Sequence, residues 1–265
     1  DDKIAWYENN GAADPSFSAT TISTSADGAQ KVFVADIDSD GDMDIVSASE
    51  NDDKIAWYEN NGAADPSFSA TTISTSADGA YDIYVADIDN DGDMDIVSAS
   101  RLDDTIALYV NNGATDPSFS ASNISTSTDG AIAVAIADID RNGFNDILSA
   151  GFEDDKIQWL ENSLSNSETA NISYQRTITT SADGAWSVFA VDIDQDGDID
   201  LLSAAYVGDK IAWYENNGSE SFTARTITTS TDGAHSVYPI DVDNDGDLDL
   251  VSASYEDDKI AWYEN

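Results

Sequence analysis

The 265-residue chain carries 53 acidic residues against 10 basic ones, a formal net charge of −43. A field that negative repels a phosphate backbone and attracts cations, which excludes nucleic acid as a partner. With 41% hydrophobic residues and six tryptophans the chain reads as a packed domain rather than an acidic disordered tail, and no apolar run approaches the ~20 residues that cross a bilayer, so membrane insertion is not expected.

Taken from its first residue, the chain opens on an I-A-W-Y-E strand at Ile4 to Glu8, and the same segment returns at Ile55, Ile157 (as I-Q-W-L-E), Ile211 and Ile260, with a diverged copy at Ile106. It belongs to a repeat. Residues 1–29 and 52–80 are identical, and an acidic glycine loop begins at Asp36, Asp87, Asp138, Asp192 and Asp241, about 50 residues apart. In the first complete repeat, strand A is expected over Val32 to Ile37, B over Asp44 to Ser49, C over Lys54 to Glu59 and D over Ser69 to Thr75. Turns of Gly, Asn and Asp lie between them. No segment holds a 3.6-residue period.

Strands A and C are apolar at both parities, as in Val32-Phe33-Val34-Ala35 and Ile55-Ala56-Trp57-Tyr58. A strand with one wet face would alternate, so these strands are buried on both sides. Four short strands per ~40–50 residues with that pattern predict an all-β, single-domain β-propeller of four-stranded blades, residues 1–265 forming five repeats plus one surplus C strand.

The acidic loops have the form D-x-D-x-[DN]-G-x-x-D between strands A and B. Calcium takes six to eight hard oxygen ligands, which alternate side chains around a glycine turn supply. Positions 1, 3, 5 and 9 offer Asp36, Asp38, Asp40 and Asp44, then Asp87, Asp89, Asp91 and Asp95. The third loop offers Asp138, Asp140, Asn142 and Asp146. The last two offer Asp192, Asp194, Asp196 and Asp200, and Asp241, Asp243, Asp245 and Asp249. Position 7 is Asp42, Asp93, Phe144, Asp198 or Asp247; because phenylalanine has no ligand atom, position 7 is expected to donate its backbone carbonyl. An EF-hand needs a bidentate glutamate at position 12, where this chain has serine (Ser47, Ser98, Ser149, Ser203, Ser252), and helices rather than strands on either side. About five Ca2+ ions, one per loop, are the expected cofactors.

A D-x-D-x-D-G-x-x-D loop between the first two strands, followed by I-A-W-Y-E-N, resembles the FG-GAP/VCBS repeats of bacterial secreted and surface proteins. It is also similar to the calcium-binding blades of integrin α-subunit propellers and of some fungal lectins. The resemblance spans the whole chain and implies a propeller, calcium and a secreted or cell-surface setting. It names no ligand. The start at Asp1, without a methionine, fits a processed product.

Strand order places the A–B and C–D loops on one side of the disc and the B–C and D–A connections on the other. The near-identical repeats differ on that second side. The residue after D-G-A is Gln30, Tyr81, Ile132, Trp186 or His235, and the B–C turns bring Arg101, Phe152, Tyr206 and Tyr255. Tyr81, Arg101, Phe152, Trp186, Tyr206, His235 and Tyr255 are therefore the candidate ligand face for a protein or carbohydrate, or else positions drifting free of packing constraint. With one histidine, no cysteine and no recognisable nucleophile–base pair, no enzyme is expected. A binding or adhesion module is the leading expectation, a purely structural unit of a larger surface protein or fibre the alternative, and a polysaccharide-active enzyme the least favoured reading.

Strand counting gives five copies of A, B and D but six of C. The D strand near Phe17 to Ser23 is expected to return to the last C strand and close a five-bladed ring. The C strand left over is either cut from a longer array or donated to a neighbouring molecule, which would join copies head to tail.

Overall fold

The computed structural model describes residues 2–163 and 170–265, and among them every regular element is a strand. None is a helix long and apolar enough to cross a membrane. The chain opens with β1 (Ile4–Asn9) and β2 (Phe17–Ser23), which form a two-stranded sheet. Four complete repeats follow, each a four-stranded antiparallel sheet in sequence order. The first is β3 (Ala29–Ala35), β4 (Asp44–Ser49), β5 (Lys54–Asn60) and β6 (Phe68–Ser74), and the second β7 (Ala80–Ala86), β8 (Asp95–Ser100), β9 (Thr105–Asn111) and β10 (Phe119–Ser125). The third is β11 (Ala131–Ala137), β12 (Asp146–Gly151), β13 (Lys156–Asn162) and β14 (Ile172–Thr179). The fourth is β15 (Ala185–Val191), β16 (Asp200–Ala205), β17 (Lys210–Asn216) and β18 (Phe222–Thr228). The chain ends on a three-stranded sheet, β19 (Ala234–Ile240), β20 (Asp249–Ser254) and β21 (Lys259–Tyr263).

The double-sided apolar pattern has the expected consequence. Strands β8, β12 and β16 are buried at every position, whereas the outermost strands β6, β10 and β18 are largely exposed. Each core cluster is shared by two consecutive sheets. Val46, Ala48, Ile55 and Trp57 of one sheet meet Ile83, Val85, Ile96 and Tyr109 of the next. Sheets thus stack face to face, each too thin to have a core of its own.

Two expectations need correction. Strand A begins at Ala29, three residues before the position read from the sequence, because a bulge between Ala29 and Lys31 lets the residue after the D-G turn pair with Ser49; the irregularity recurs at Ala80, Ala131, Ala185 and Ala234. It ends at Ala35, where the acidic loop takes over, and strand D starts one residue early, at Phe68. The second correction concerns closure. The segment Phe17–Ser23 pairs with β1, with Asn9 opposite Phe17 and Trp6 opposite Thr20, while β21 pairs with β20 alone. Both terminal C strands therefore sit in separate sheets, six sheets form in place of five closed blades, and they do not close into a ring. Pairing across a short turn costs far less closure entropy than pairing across the whole chain, and Asn10 fixes that turn by bonding Ser16 at 2.7 Å.

Candidate functional site

Each A–B connection folds the same way. Position 4 takes a left-handed conformation in all five loops (Ser39, Asn90, Arg141, Gln195 and Asn244, φ from 59° to 63°). The glycine at position 6 has φ between 90° and 101° (Gly41, Gly92, Gly143, Gly197, Gly246), a region closed to residues with a Cβ. That double twist turns the backbone N–H groups inward onto the carboxylates. Gly41 N–H donates to Asp36 Oδ2 at 3.0 Å and Asp42 N–H to Asp40 Oδ1 at 2.9 Å. The third loop repeats the pattern with Gly143 on Asp138 and Phe144 on Asn142.

Position 9 is the anchor. Asp44 accepts from Ile37 N–H at 3.2 Å and from Asn60 N–H at 2.7 Å, tying the loop to the end of β5. Asp95, Asp146, Asp200 and Asp249 make the same pair of bonds. Carboxylate oxygens converge within 4.8 Å of one another in every loop: Asp36, Asp38 and Asp40 in the first, and positions 1, 3 and 9 in the others, namely Asp87/Asp89/Asp95, Asp138/Asp140/Asp146, Asp192/Asp194/Asp200 and Asp241/Asp243/Asp249. Of the carboxylates read from sequence, position 5 stands outside the converging set in three loops (Asp91, Asp196, Asp245) and position 9 in the first (Asp44).

The side chain at position 7 turns elsewhere. The carboxylates of Asp42, Asp93 and Asp198 lie so close to Gly62, Gly113 and Gly218 in the C–D turns that a Cβ there would come within 2.0 to 2.5 Å of them. In these three loops the position 7 side chain is turned toward the C–D turn.

The clusters are electrostatically uncomfortable on their own. Burial, and then the neighbouring Asp95 and Asp91 carboxylates, push Asp89 up to about 7. Burial raises Asp95 to about 6, Asp146 to about 7 and Asp200 to about 6, against the pull of their backbone N–H bonds. Asp89, Asp138, Asp192 and Asp241 each keep a buried Oδ1 with no hydrogen-bond partner. Hard, anionic, partly unpaired oxygens grouped this closely fit a divalent cation.

The raised values have a testable sign. A carboxylate whose folded pKa exceeds its unfolded value stabilises the fold below the unfolded pKa and loses that contribution as pH rises through the folded one. The chelated protein is therefore expected to melt higher at about pH 5 than at about pH 8, the loss falling across the values near 6 and 7 of Asp95, Asp146 and Asp200. Thermal scans in EDTA across that range check it.

On the opposite side, the seven residues of the candidate ligand face do come together. Trp186 is the hub: its ring centre lies 4.7 Å from His235, 5.2 Å from Tyr206, 5.4 Å from Phe152 and 6.0 Å from Tyr81. Tyr255 closes the group at 6.4 Å from His235, and the Arg101 guanidinium stands 5.5 Å over Phe152. Burial lowers His235 below its ordinary pKa. Tyr206 donates its hydroxyl to Glu256, a bond that pushes the phenol up to about 12.

Trp186 and His235 also border a cavity of about 430 Å³ walled by the first strands of successive sheets. One residue in its wall was not singled out from the sequence. Buried Asp82 accepts from Val134 N–H at 3.0 Å and pairs with Lys31 at 2.9 Å, joining three consecutive sheets. Its signal was available, since Asp82 is the only acidic residue within any of the five A strands.

The FG-GAP-like repeat profile matches residues 1–47, 36–98, 87–149, 141–203 and 192–252. No curated protein matches the chain. Among solved structures it is similar to an Agrocybe aegerita lectin described as recognising non-reducing terminal N-acetylglucosamine, with 19% identity, a TM-score of 0.61, and coverage of 95% of this chain and 69% of that one. A functionally unknown Desulfotomaculum acetoxidans protein aligns over 99% of this chain and 76% of its own at 12% identity and TM-score 0.62. The V. cholerae biofilm matrix protein Bap1 aligns over 90% of this chain but 38% of its own, at 19% identity and TM-score 0.56. At these identities the likeness is one of fold.

Proposed function

This chain is a member of the FG-GAP-like repeat family, and we propose that it is a calcium-stabilised, extracellular, propeller-type module that binds a carbohydrate or protein ligand without catalysing a reaction on it. The observation that carries the binding role is the aromatic group around Trp186. Its members are the positions at which otherwise near-identical repeats diverge, and they meet in one place beside a cavity. Drift has no reason to concentrate rings there. Half-buried aromatics interleaved with Arg101, Glu256 and His235 offer flat apolar faces beside hydrogen-bonding groups, the chemistry of sugar and protein recognition. The likeness to a lectin is in keeping with that reading.

Calcium is assigned to the five loops because they supply only hard oxygens. Positions 1, 3 and 9 would hold it in four loops and positions 1, 3 and 5 in the first, with the remaining position of the quartet and the position 7 carbonyl completing the shell. The ions would neutralise carboxylates that otherwise repel one another and would keep the A–B turns rigid, so that the ligand face on the other end of the same strands holds its shape.

A glycan array with and without calcium tests the role, and Trp186→Ala sharpens it. The side chain is only half-buried. Its loss should therefore cost ~1–2 kcal/mol, short of the ~3–5 kcal/mol of a fully buried aromatic, while abolishing retention on the array. A variant that melts several kcal/mol below the parent, or one that binds unchanged, contradicts the assignment.

A further inference from the structure

The rings gathered around Trp186 have more carboxylates beside them than cations. Asp82 is neutralised by Lys31 at 2.9 Å, and Glu153 by Arg101 at 3.9 Å. Glu256 and Glu50 have only uncharged partners. Glu256 accepts the Tyr206 hydroxyl, and Glu50 accepts from the Gln30 side chain while its charge is felt at the Tyr81 phenol. Neither forms an ion pair among the described residues.

Elsewhere the protein fills such places with its own cations. The Arg176 guanidinium lies 4.6 Å over Trp159, Arg225 5.3 Å over Trp213 and Arg101 5.5 Å over Phe152, each drawn to the negative face of the ring. Trp186 has rings and carboxylates around it, yet no cation stands over its indole among the described residues. Burial lowers His235 below its ordinary pKa, so the neighbouring imidazole does not take that place.

Resting on the carbohydrate reading of this face, we propose that its ligand is a cationic glycan: hexosamine units with free, protonated amines, which the Trp186 ring group and the carboxylates of Glu50 and Glu256 bind together.

Each part of such a ligand has a counterpart. The apolar C–H face of a pyranose packs on an indole. Its hydroxyls meet polar groups with bonding capacity to spare in the wall of the cavity beside Trp186. Ser187 Oγ is buried there without a partner, and the Lys31 ammonium has donors left after Asp82. Lys31 calls for an acceptor, which a sugar hydroxyl supplies and an arginine or lysine side chain does not. That favours a glycan over a basic peptide. The cavity, about 430 Å³, is of small-molecule size. Charge then decides which sugar. An acidic glycan meets the field of a −43 protein, and a neutral one leaves Glu50 and Glu256 uncompensated. An amino sugar gains from both.

Calorimetric titration of the calcium-loaded protein with two trisaccharides tests this. One is built of glucosamine with free amines and the other of N-acetylglucosamine, at about pH 6.5, where most of such an amine is protonated. The free-amine trimer should bind roughly tenfold more tightly or better, and Trp186→Ala should abolish binding of both. The double variant E50Q/E256Q keeps shape and hydrogen bonding while removing charge. It should erase the preference and leave the affinity for the acetylated trimer unchanged. Binding of the free-amine trimer that survives Trp186→Ala is diffuse attraction to an acidic protein and overturns the proposal. Equal or tighter binding of the acetylated trimer, lost in Trp186→Ala, also overturns it but leaves the carbohydrate reading standing. If neither trimer binds, the proposal falls alone, and the glycan array decides the broader reading. A tri-arginine peptide that binds more tightly than the amino sugar would move the ligand from glycan to protein and overturn the proposal. Thermal scans in calcium establish that each variant is folded before it is scored.

Discussion

Stripping calcium is expected to lower the melting temperature by about 25 °C or more, with recovery on adding calcium and little recovery with magnesium. An ion that binds only the folded state at a free concentration 100-fold above its Kd stabilises that state by ~2.7 kcal/mol, so five such sites amount to roughly 13 kcal/mol. That rivals the whole stability of an ordinary domain, and for a chain of this size ~1 kcal/mol moves the midpoint by ~2–4 °C. Magnesium prefers a tighter octahedral shell and gives up water reluctantly, which suits open carboxylate loops poorly. Calorimetry in calcium, in EDTA and in EDTA followed by excess calcium or magnesium reads the effect directly. Coincident melts with and without chelator would remove the structural role of the loops.

The second large effect lies in the core. Trp159 is fully buried, edge-on to Phe222 across the sheet junction at 6.5 Å and under the Arg176 guanidinium at 4.6 Å. Trp159→Ala should cost ~3–5 kcal/mol in denaturant unfolding, because the junction cannot collapse onto the space left behind. Trp262 occupies the same place in its repeat but is half-exposed. Trp262→Ala should cost under about 1 kcal/mol in the isolated molecule. A matched pair of identical residues then separates the energy of the junction from the energy of the residue. Equal losses would mean that the last sheet's outer face is covered in solution.

Much of this was legible because the repeat is so regular. The strand read at Asp44 to Ser49 forms over those residues, since an acidic loop on one side and an Asp-Asp turn on the other leave no freedom. The acidic loops were legible as clusters, but not that position 9 anchors each loop by accepting N–H bonds from the loop's second residue and from the end of the third strand, as Asp44 does from Ile37 and Asn60; only the backbone reveals that. The divergent positions were legible as sharing one side, and Trp186 as their centre was not, because ring contacts depend on how much each sheet turns from the last. Closure was misread for a physical reason. β1 and β21 are the same strand in sequence, so composition cannot choose between them, and the short turn after Asn9 decided in favour of β1. The bonds from Asn111 and Asn162 side chains to the Ile37 and Ile88 carbonyls of the preceding sheet also went unread. In these two copies the asparagine that closes the C strand looked like a turn residue and is a clasp between repeats.

The central claim is that the five loops are calcium sites on which the aromatic face depends, and counting the ions tests it most directly. Equilibrium dialysis against labelled calcium should give about five ions per chain, falling by about one when Asp138, Asp140 and Asp146 are replaced together by alanine. A chain that stays folded while retaining no calcium, or a triple variant that retains as much as the parent, would contradict it.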